Sequence, residues 1–215
     1  MGSYYFSNGD IYVDNVPPNN LLSKKSIGMV FQSPAILPWL NVFQNLLLPL
    51  QINPSNDNGS DNESLVGDIL SIIQMEDYAD FYPHQLSGGM KQRVGVGMSL
   101  VFDPKILLLD EPFSNLDSNI KLQIKNEIYS IIKNAGITTI LVTHDVKESF
   151  AIADKILIFK AGVLQQYDEP FNIYCKPSNW YCSKVLGELN LLVINGKKYY
   201  LRPENINIVN SSEYK

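Results

Sequence analysis

An α/β fold built on a parallel sheet follows from three features of the 215-residue sequence. Ile106-Leu107-Leu108-Leu109 is a continuous apolar run closed by Asp110-Glu111-Pro112, which is how a strand covered on both faces by helices reads. Residues 137–142 form a second such run, closed by Thr143-His144. Between them, residues 119–134 carry a helical pattern that Gly136 stops. Strand, helix and strand in that order place ligands beyond the carboxyl ends of the strands.

The other elements follow along the chain. Residues 9–14 alternate as a strand should, and residues 26–31 give a second short apolar run ending at Gln32. Residues 53–63, rich in Asn, Asp, Ser, Gly and Pro, read as a solvated loop insertion, because helical patterns resume at once. Residues 65–74 and 87–102 have apolar spacings compatible with helices, the second with the Ser87 hydroxyl available as an N-cap. A last pair of strands, 155–160 and 163–167, surrounds Ala161-Gly162. Beyond about residue 190, the short β-like runs 191–194 and 198–201 flank the turn Asn195-Gly196, which reads as the start of a small β appendage.

Composition narrows the function. With 45% hydrophobic residues the chain can bury one good core. A net charge of −5, from 17 Lys+Arg against 22 Asp+Glu and without a basic block, gives no global reason to bind nucleic acid. Any anion must be held locally. Cys175 and Cys182 match neither a paired metal motif nor a disulfide framework, which points to a reducing compartment. No apolar run approaches the roughly 18–20 residues that cross a bilayer, and no signal peptide opens the sequence, so a membrane role is expected through a partner.

The strongest chemical signal is Leu86-Ser87-Gly88-Gly89-Met90-Lys91-Gln92-Arg93. Two glycines after a serine at a helix start let backbone N–H groups approach an anion, and the helix dipole favours negative charge there. An ordinary glycine-containing cap accounts for Ser-Gly-Gly alone, not for the octapeptide with its companions. Asp110 and Glu111 end a buried strand, where one carboxylate can hold Mg²⁺ and the other polarise an attacking water. His144 ends a second strand, where an imidazole can donate to a phosphate oxygen. Gln32 also ends a strand, and its amide can touch a metal and the attacking water.

Together these residues resemble the ATP-binding-cassette (ABC) transporter ATPases. Gln32 in Val30-Phe31-Gln32, residues 86–93, residues 106–112, Ser114-Asn115-Leu116-Asp117 and Thr143-His144-Asp145 are similar, in the family's order, to its Q-loop, signature, Walker B, D-loop and switch histidine. The resemblance implies a P-loop NTPase-like ABC ATPase domain over residues 1–188, a helical subdomain at about 34–102, and the start of a C-terminal β regulatory segment at 189–215. It implies ATP and Mg²⁺ as cofactors, with Asp110 and Gln32 at the metal, Glu111 as general base and His144 at the γ-phosphate. Ser87, Gly88, Gly89 and Gln92 would meet a nucleotide seated mainly on a second subunit, and Asp117 would couple the two. The implied partners are a second ATPase subunit, transmembrane permease subunits and, through them, a substrate-binding protein. The implied place is the cytoplasmic face of the inner membrane, as the translocase subunit of an importer.

The chain departs from the family at two points. The loop G-x-x-x-x-G-K-[ST], which holds the β- and γ-phosphates, is expected before the strand at Gly9, and residues 1–8 do not supply it. The chain therefore reads as N-terminally truncated, with poor ATP binding and negligible hydrolysis expected of residues 1–215 alone. A catalytically inactive remnant or interaction module is the alternative reading. Gly97-Met98 also stands where the family usually has Ala-Arg. The 87 − 32 = 55 residues between Gln32 and Ser87 leave room for a compact helical subdomain and no coiled-coil arm. Within that subdomain, the apolar stretch 34–40 reads either as a surface for the membrane subunit or as subdomain core. Residues 169–177, 186–192 and 201–206 resemble importers of the iron(III) and polyamine type, while Pro38-Trp39-Leu40 and residues 82–85 resemble the nitrate, sulfonate and taurine type. Iron(III) stands ahead.

Overall fold

The computed structural model describes residues 10, 12, 13, 15–17, 26–52, 62–114 and 118–205. Its apolar runs form β1 (Ile27–Val30), β2 (Ile106–Asp110) and β3 (Thr138–Val142), all parallel and ordered β1-β2-β3. The register sets Ile27 beside Ile106 beside Thr138, and Met29 beside Leu108 beside Ile140. Alternation then decides the faces. Gly28, Val30, Leu107 and Leu109 point into the core and are buried; Met29, Ile140 and Val142 on the other face are exposed.

The covered face packs against α1 (Val42–Ile52), α2 (Asn62–Ile72), α3 (Gly88–Leu100) and α4 (Ser118–Ala135), whose buried members include Leu46, Ile69, Val94 and Ile128. Close approach depends on glycine here. A Cβ on Gly28 would lie 2.7 Å from the Ser99 carbonyl oxygen of α3. One on Gly97 would lie 2.9 Å from both Ile73 Cδ1 and Leu46 Cδ2, so the residue in place of the family's usual alanine lets α3 settle onto its two neighbours. Helix α4 ends at Gly136, whose φ of 65° suits a glycine stop.

The chain divides into two compact units, Met1–Val142 and Thr143–Lys215. The expected division at 188/189 falls inside the second. That unit contains α5 (Val146–Ile152), the antiparallel pair β4 (Ile156–Lys160) and β5 (Val163–Asp168), α6 (Pro170–Cys175), α7 (Trp180–Val185), and the pair β6 (Asn190–Ile194) and β7 (Lys197–Leu201). Ala161-Gly162 and Asn195-Gly196 turn the two hairpins with positive φ at all four residues, as two-residue turns of this kind require. A small core of Ile156, Ile158, Ile173, Cys182 and Leu186 holds β4 and β5 to α6 and α7. Arg202, just past β7, stacks 4.2 Å from the Tyr174 ring centroid of α6, and the Tyr174 hydroxyl bonds the Glu204 carboxylate.

The expected strand over 9–14 is described at residues 10, 12 and 13; there Val13 forms an isolated antiparallel bridge with Val16. Residues 1–8, most of the 53–63 loop and Asp117 lie outside the described residues.

Candidate functional site

Two places gather the chemistry of the first unit. The first is the start of α3. Ser87 is extended (φ −65°, ψ 164°), and its Oγ accepts the Met90 N–H at 3.2 Å. Ahead of it the Tyr82 N–H donates to Gln85 Oε1 at 2.8 Å, and buried Leu86 anchors the turn. Ser87 and Gly88 are exposed, whereas Gly89 is buried, because a Cβ there would lie 2.4 Å from Ile124 Cδ1 of α4. Gly89 thus serves helix packing whatever else its backbone does. Gln92, one turn on, is 2% exposed, and its Nε2 finds no acceptor among the described residues. Arg93 binds Glu127 of α4. Burial pushes the Glu127 carboxyl up, but the hydrogen bonds from Arg93 and Gln123 and the Arg93 charge together hold it below its ordinary value.

The second place is the carboxyl edge of the sheet. Parallel pairing puts the ends of β1, β2 and β3 on one side, so Gln32, two residues past β1, shares this edge with Asp110, the exposed last residue of β2. Glu111 follows with φ 44°, in the left-handed region that costs a non-glycine residue roughly 1–3 kcal/mol. Its backbone is fixed on both sides. The Glu111 N–H donates to Val142 O at 3.0 Å, and its carbonyl accepts from the Ser114 N–H at 3.2 Å and Oγ at 3.0 Å. Among the described residues no group of three or more His, Cys, Asp or Glu could hold a metal alone. Mg²⁺ takes one or two carboxylates beside water and phosphate oxygens, and exposed Asp110 with the Gln32 amide fits such a partial donor set.

His144 is exposed and belongs to the second unit. Its neighbours form a helix start: the Thr143 hydroxyl donates to Glu148 and accepts the Asp145 N–H at 3.0 Å, while Asp145 Oδ1 accepts the Glu148 N–H at 3.3 Å. The structure therefore brings Gln32, Asp110 and Glu111 to one sheet edge, groups Ser87, Gly88, Gly89 and Gln92 on the first turns of α3, and carries His144 two residues past β3, in the second unit.

Residues 1–114 match the family model of the ABC transporter. The chain belongs to the ABC transporter family. It is 36% identical over 189 residues to the spermidine/putrescine import ATP-binding protein PotA of Thermotoga maritima, covering 86% of this chain and 50% of that protein. It is 37% identical over 191 residues to the Fe(3+) ions import ATP-binding protein FbpC of Fusobacterium nucleatum, covering 89% and 49%. With the maltose/maltodextrin import ATP-binding protein MalK of Vibrio cholerae the identity is 37% over 182 residues, covering 84% and 48%. The chain spans about half the length of these curated relatives. A solved structure, the dimeric post-hydrolysis state of the ATP-binding cassette MJ0796 bound to ADP and Pi, superposes with a TM-score of 0.61 at 28% identity, covering 76% of this chain and 74% of that one. The fold is that of the ABC ATPases.

In this ABC chain one positioning residue had little sequence signal. Asn45 of α1 is wholly buried; its Oδ1 accepts the Leu37 N–H at 2.8 Å and its Nδ2 donates to the carbonyls of Leu37, Leu40 and Asn41 at 3.2, 3.0 and 2.9 Å. It fixes the loop after Gln32. Ile36 packs on the core while Trp39 stands 68% exposed, so the apolar stretch 34–40 supplies both subdomain core and surface. Only an amide set among Val42, Phe43 and Leu46 hinted at it.

Proposed function

We propose that residues 1–215 form part of the ATP-binding and ATP-hydrolysing subunit of an importer, with iron(III) the favoured cargo. The observation that carries this is the constrained Asp110-Glu111 turn beside Gln32 at the sheet's carboxyl edge. The Glu111 backbone is held in an uncommon conformation by three hydrogen bonds, which is how a positioned catalytic group is built. Glu111 takes the proton of the attacking water, Gln32 orients that water, and His144 donates a hydrogen bond to the terminal phosphate oxygen. Asp110 and Gln32 hold Mg²⁺, which when bound neutralises phosphate charge. Ser87, Gly88 and Gly89 present backbone N–H groups to the γ-phosphate of a nucleotide on a facing subunit, and Asp117 couples the pair. Support comes from the dimeric cassette neighbour and from relatives named for import of several substrates. The cargo reading rests on the resemblance of residues 169–177, 186–192 and 201–206 to importers of the iron(III) and polyamine type, with iron(III) ahead.

The test is a chain extended at Met1 by a strand, a G-x-x-x-x-G-K-[ST] loop and a helix, because that loop occurs nowhere in residues 1–215. Mg²⁺-dependent ATPase activity is expected, and Glu111→Gln should lower turnover about 10²–10⁴-fold while retaining ATP binding. An extended chain that folds and binds ATP, but turns it over equally with Glu111 or Gln, supports the inactive module instead.

A further inference from the structure

A ring of three side-chain hydrogen bonds closes the turn that carries His144. The Asp145 N–H donates to Thr143 Oγ1 at 3.0 Å, the Thr143 hydroxyl donates to the Glu148 carboxylate, and the Glu148 N–H donates to Asp145 Oδ1 at 3.3 Å. In an ordinary capping box the carboxylate three residues into a helix accepts the N-cap N–H directly. Asp145 is the N-cap of α5, with φ −88° and ψ 101°, and Glu148 is the third residue of that helix, but the Thr143 hydroxyl is inserted between them. The insertion draws the chain ahead of the cap into the ring, and His144 is the residue it encloses.

The chemistry of the ring fixes its direction. A carboxylate only accepts, so Glu148 obliges the hydroxyl proton to point at it and leaves a Thr143 lone pair for the Asp145 N–H. The Thr143 side-chain torsion is thereby set, and with it the main chain on both sides of His144. Glu148 is 7% exposed. A buried carboxylate is costly unless it is hydrogen-bonded, whereas an apolar residue at this inward position of a short helix would carry no such cost, so packing alone does not account for a glutamate. His144 itself is exposed, and burial does little to hold it. We infer that Glu148, acting through the Thr143 hydroxyl, is a positioning residue for His144: it holds the main chain from which the imidazole reaches the terminal phosphate. This rests on the nucleotide reading above for what His144 touches; the positioning itself needs no nucleotide.

The sequence holds two histidines, His84 and His144, so ¹⁵N-histidine labelling of residues 1–215 carrying His84→Gln gives one backbone amide signal to follow by NMR, without ATP. Its order parameter should be about 0.85, the value of rigid main chain, and should fall below about 0.6 in Thr143→Val and in Glu148→Ala. Thr143→Val keeps the side-chain volume and removes only the hydroxyl, which guards against a folding defect. Thr143→Ser should restore the rigid value, and Glu148→Gln, whose amide can donate as well as accept, should fall between. In the extended chain used above to test hydrolysis, Glu148→Ala should lower kcat about tenfold or more and change KM for ATP less. Added to His144→Ala, it should lower kcat little further, because a residue that acts through the imidazole has nothing left to position. An order parameter that Thr143→Val leaves unchanged overturns the proposal. So does an equal loss of kcat from Glu148→Ala whether position 144 is His or Ala, which would make Glu148 a structural cap only. If Thr143→Val loosens His144 but the extended chain hydrolyses no ATP, the positioning stands and the enzymatic reading fails. Glu111-dependent hydrolysis that Glu148→Ala and Thr143→Val leave untouched gives the converse.

Discussion

Gly89 has two possible duties, as an anion-facing backbone and as a packing notch, and a double-mutant cycle separates them. A Cβ at Gly89 would sit 2.4 Å from Ile124 Cδ1 and 2.7 Å from its Cγ1, against a comfortable carbon separation of about 3.5–4.0 Å. Ile124 is 8% exposed, so it has little room to rotate away, and α3 and α4 must part by about 1 Å to restore that separation. Overpacking of this kind costs about 1–3 kcal/mol, and alanine's better fit to a helix returns about 0.5–1 kcal/mol. Gly89→Ala should therefore destabilise by about 0.5–2 kcal/mol. Ile124→Ala alone should cost about 2–5 kcal/mol, but it removes both clashing atoms, so adding Gly89→Ala to it should be neutral or stabilising. The coupling, read from urea unfolding followed by far-UV circular dichroism at constant m, should be about 1–3 kcal/mol. A coupling below about 0.5 kcal/mol would falsify the close approach of α3 and α4 at this point.

Three further outcomes are expected. Gly28→Ala should destabilise by about 1–3 kcal/mol, because its Cβ meets a backbone oxygen, Ser99 O at 2.7 Å, that cannot swing aside; an unchanged urea midpoint would refute this. Asn45→Ala should cost about 1–3 kcal/mol by removing the side chain that pairs with the Leu37 N–H and the Leu40 carbonyl and reinforces the Leu37 and Asn41 carbonyls, and should raise hydrogen exchange at 37–41 above that of the surrounding helices. The Glu127 carboxyl is held below its ordinary 4.5, so its pairing with Arg93 stabilises the fold fully above that value and is lost as pH falls through the lower folded-state value. Glu127→Gln should flatten the pH dependence of the melting temperature below about pH 4.5, and an identical slope in both proteins would count against the ion pair.

The elements with a strong local signal were legible in the residues. Ile106-Leu107-Leu108-Leu109 can only be a buried strand or a short helical piece, and Asp110-Glu111-Pro112 ends it at once. Ser87 with its following glycines gave a helix start that the structure places one residue away, at Gly88. The turns Ala161-Gly162 and Asn195-Gly196 lie where their conformational freedom requires. Helix α1 left no comparable signature, since Leu46-Leu47-Leu48-Pro49-Leu50 lacks a clean period and carries an internal proline. Helices α5, α6 and α7, at 7, 6 and 6 residues, are too short for periodicity to register.

Local chemistry, written in the order of residues, determined the parallel α/β sheet, the serine-capped start of α3 and the carboxylate pair at a strand end. Tertiary structure alone decided that Gly89 is buried against Ile124, that Asn45 holds the loop after Gln32, that Glu111 takes a left-handed backbone, and that one sheet face is exposed. Each of these depends on groups far apart in sequence arriving within a few ångströms of one another, and no pattern confined to neighbouring residues encodes such a distance.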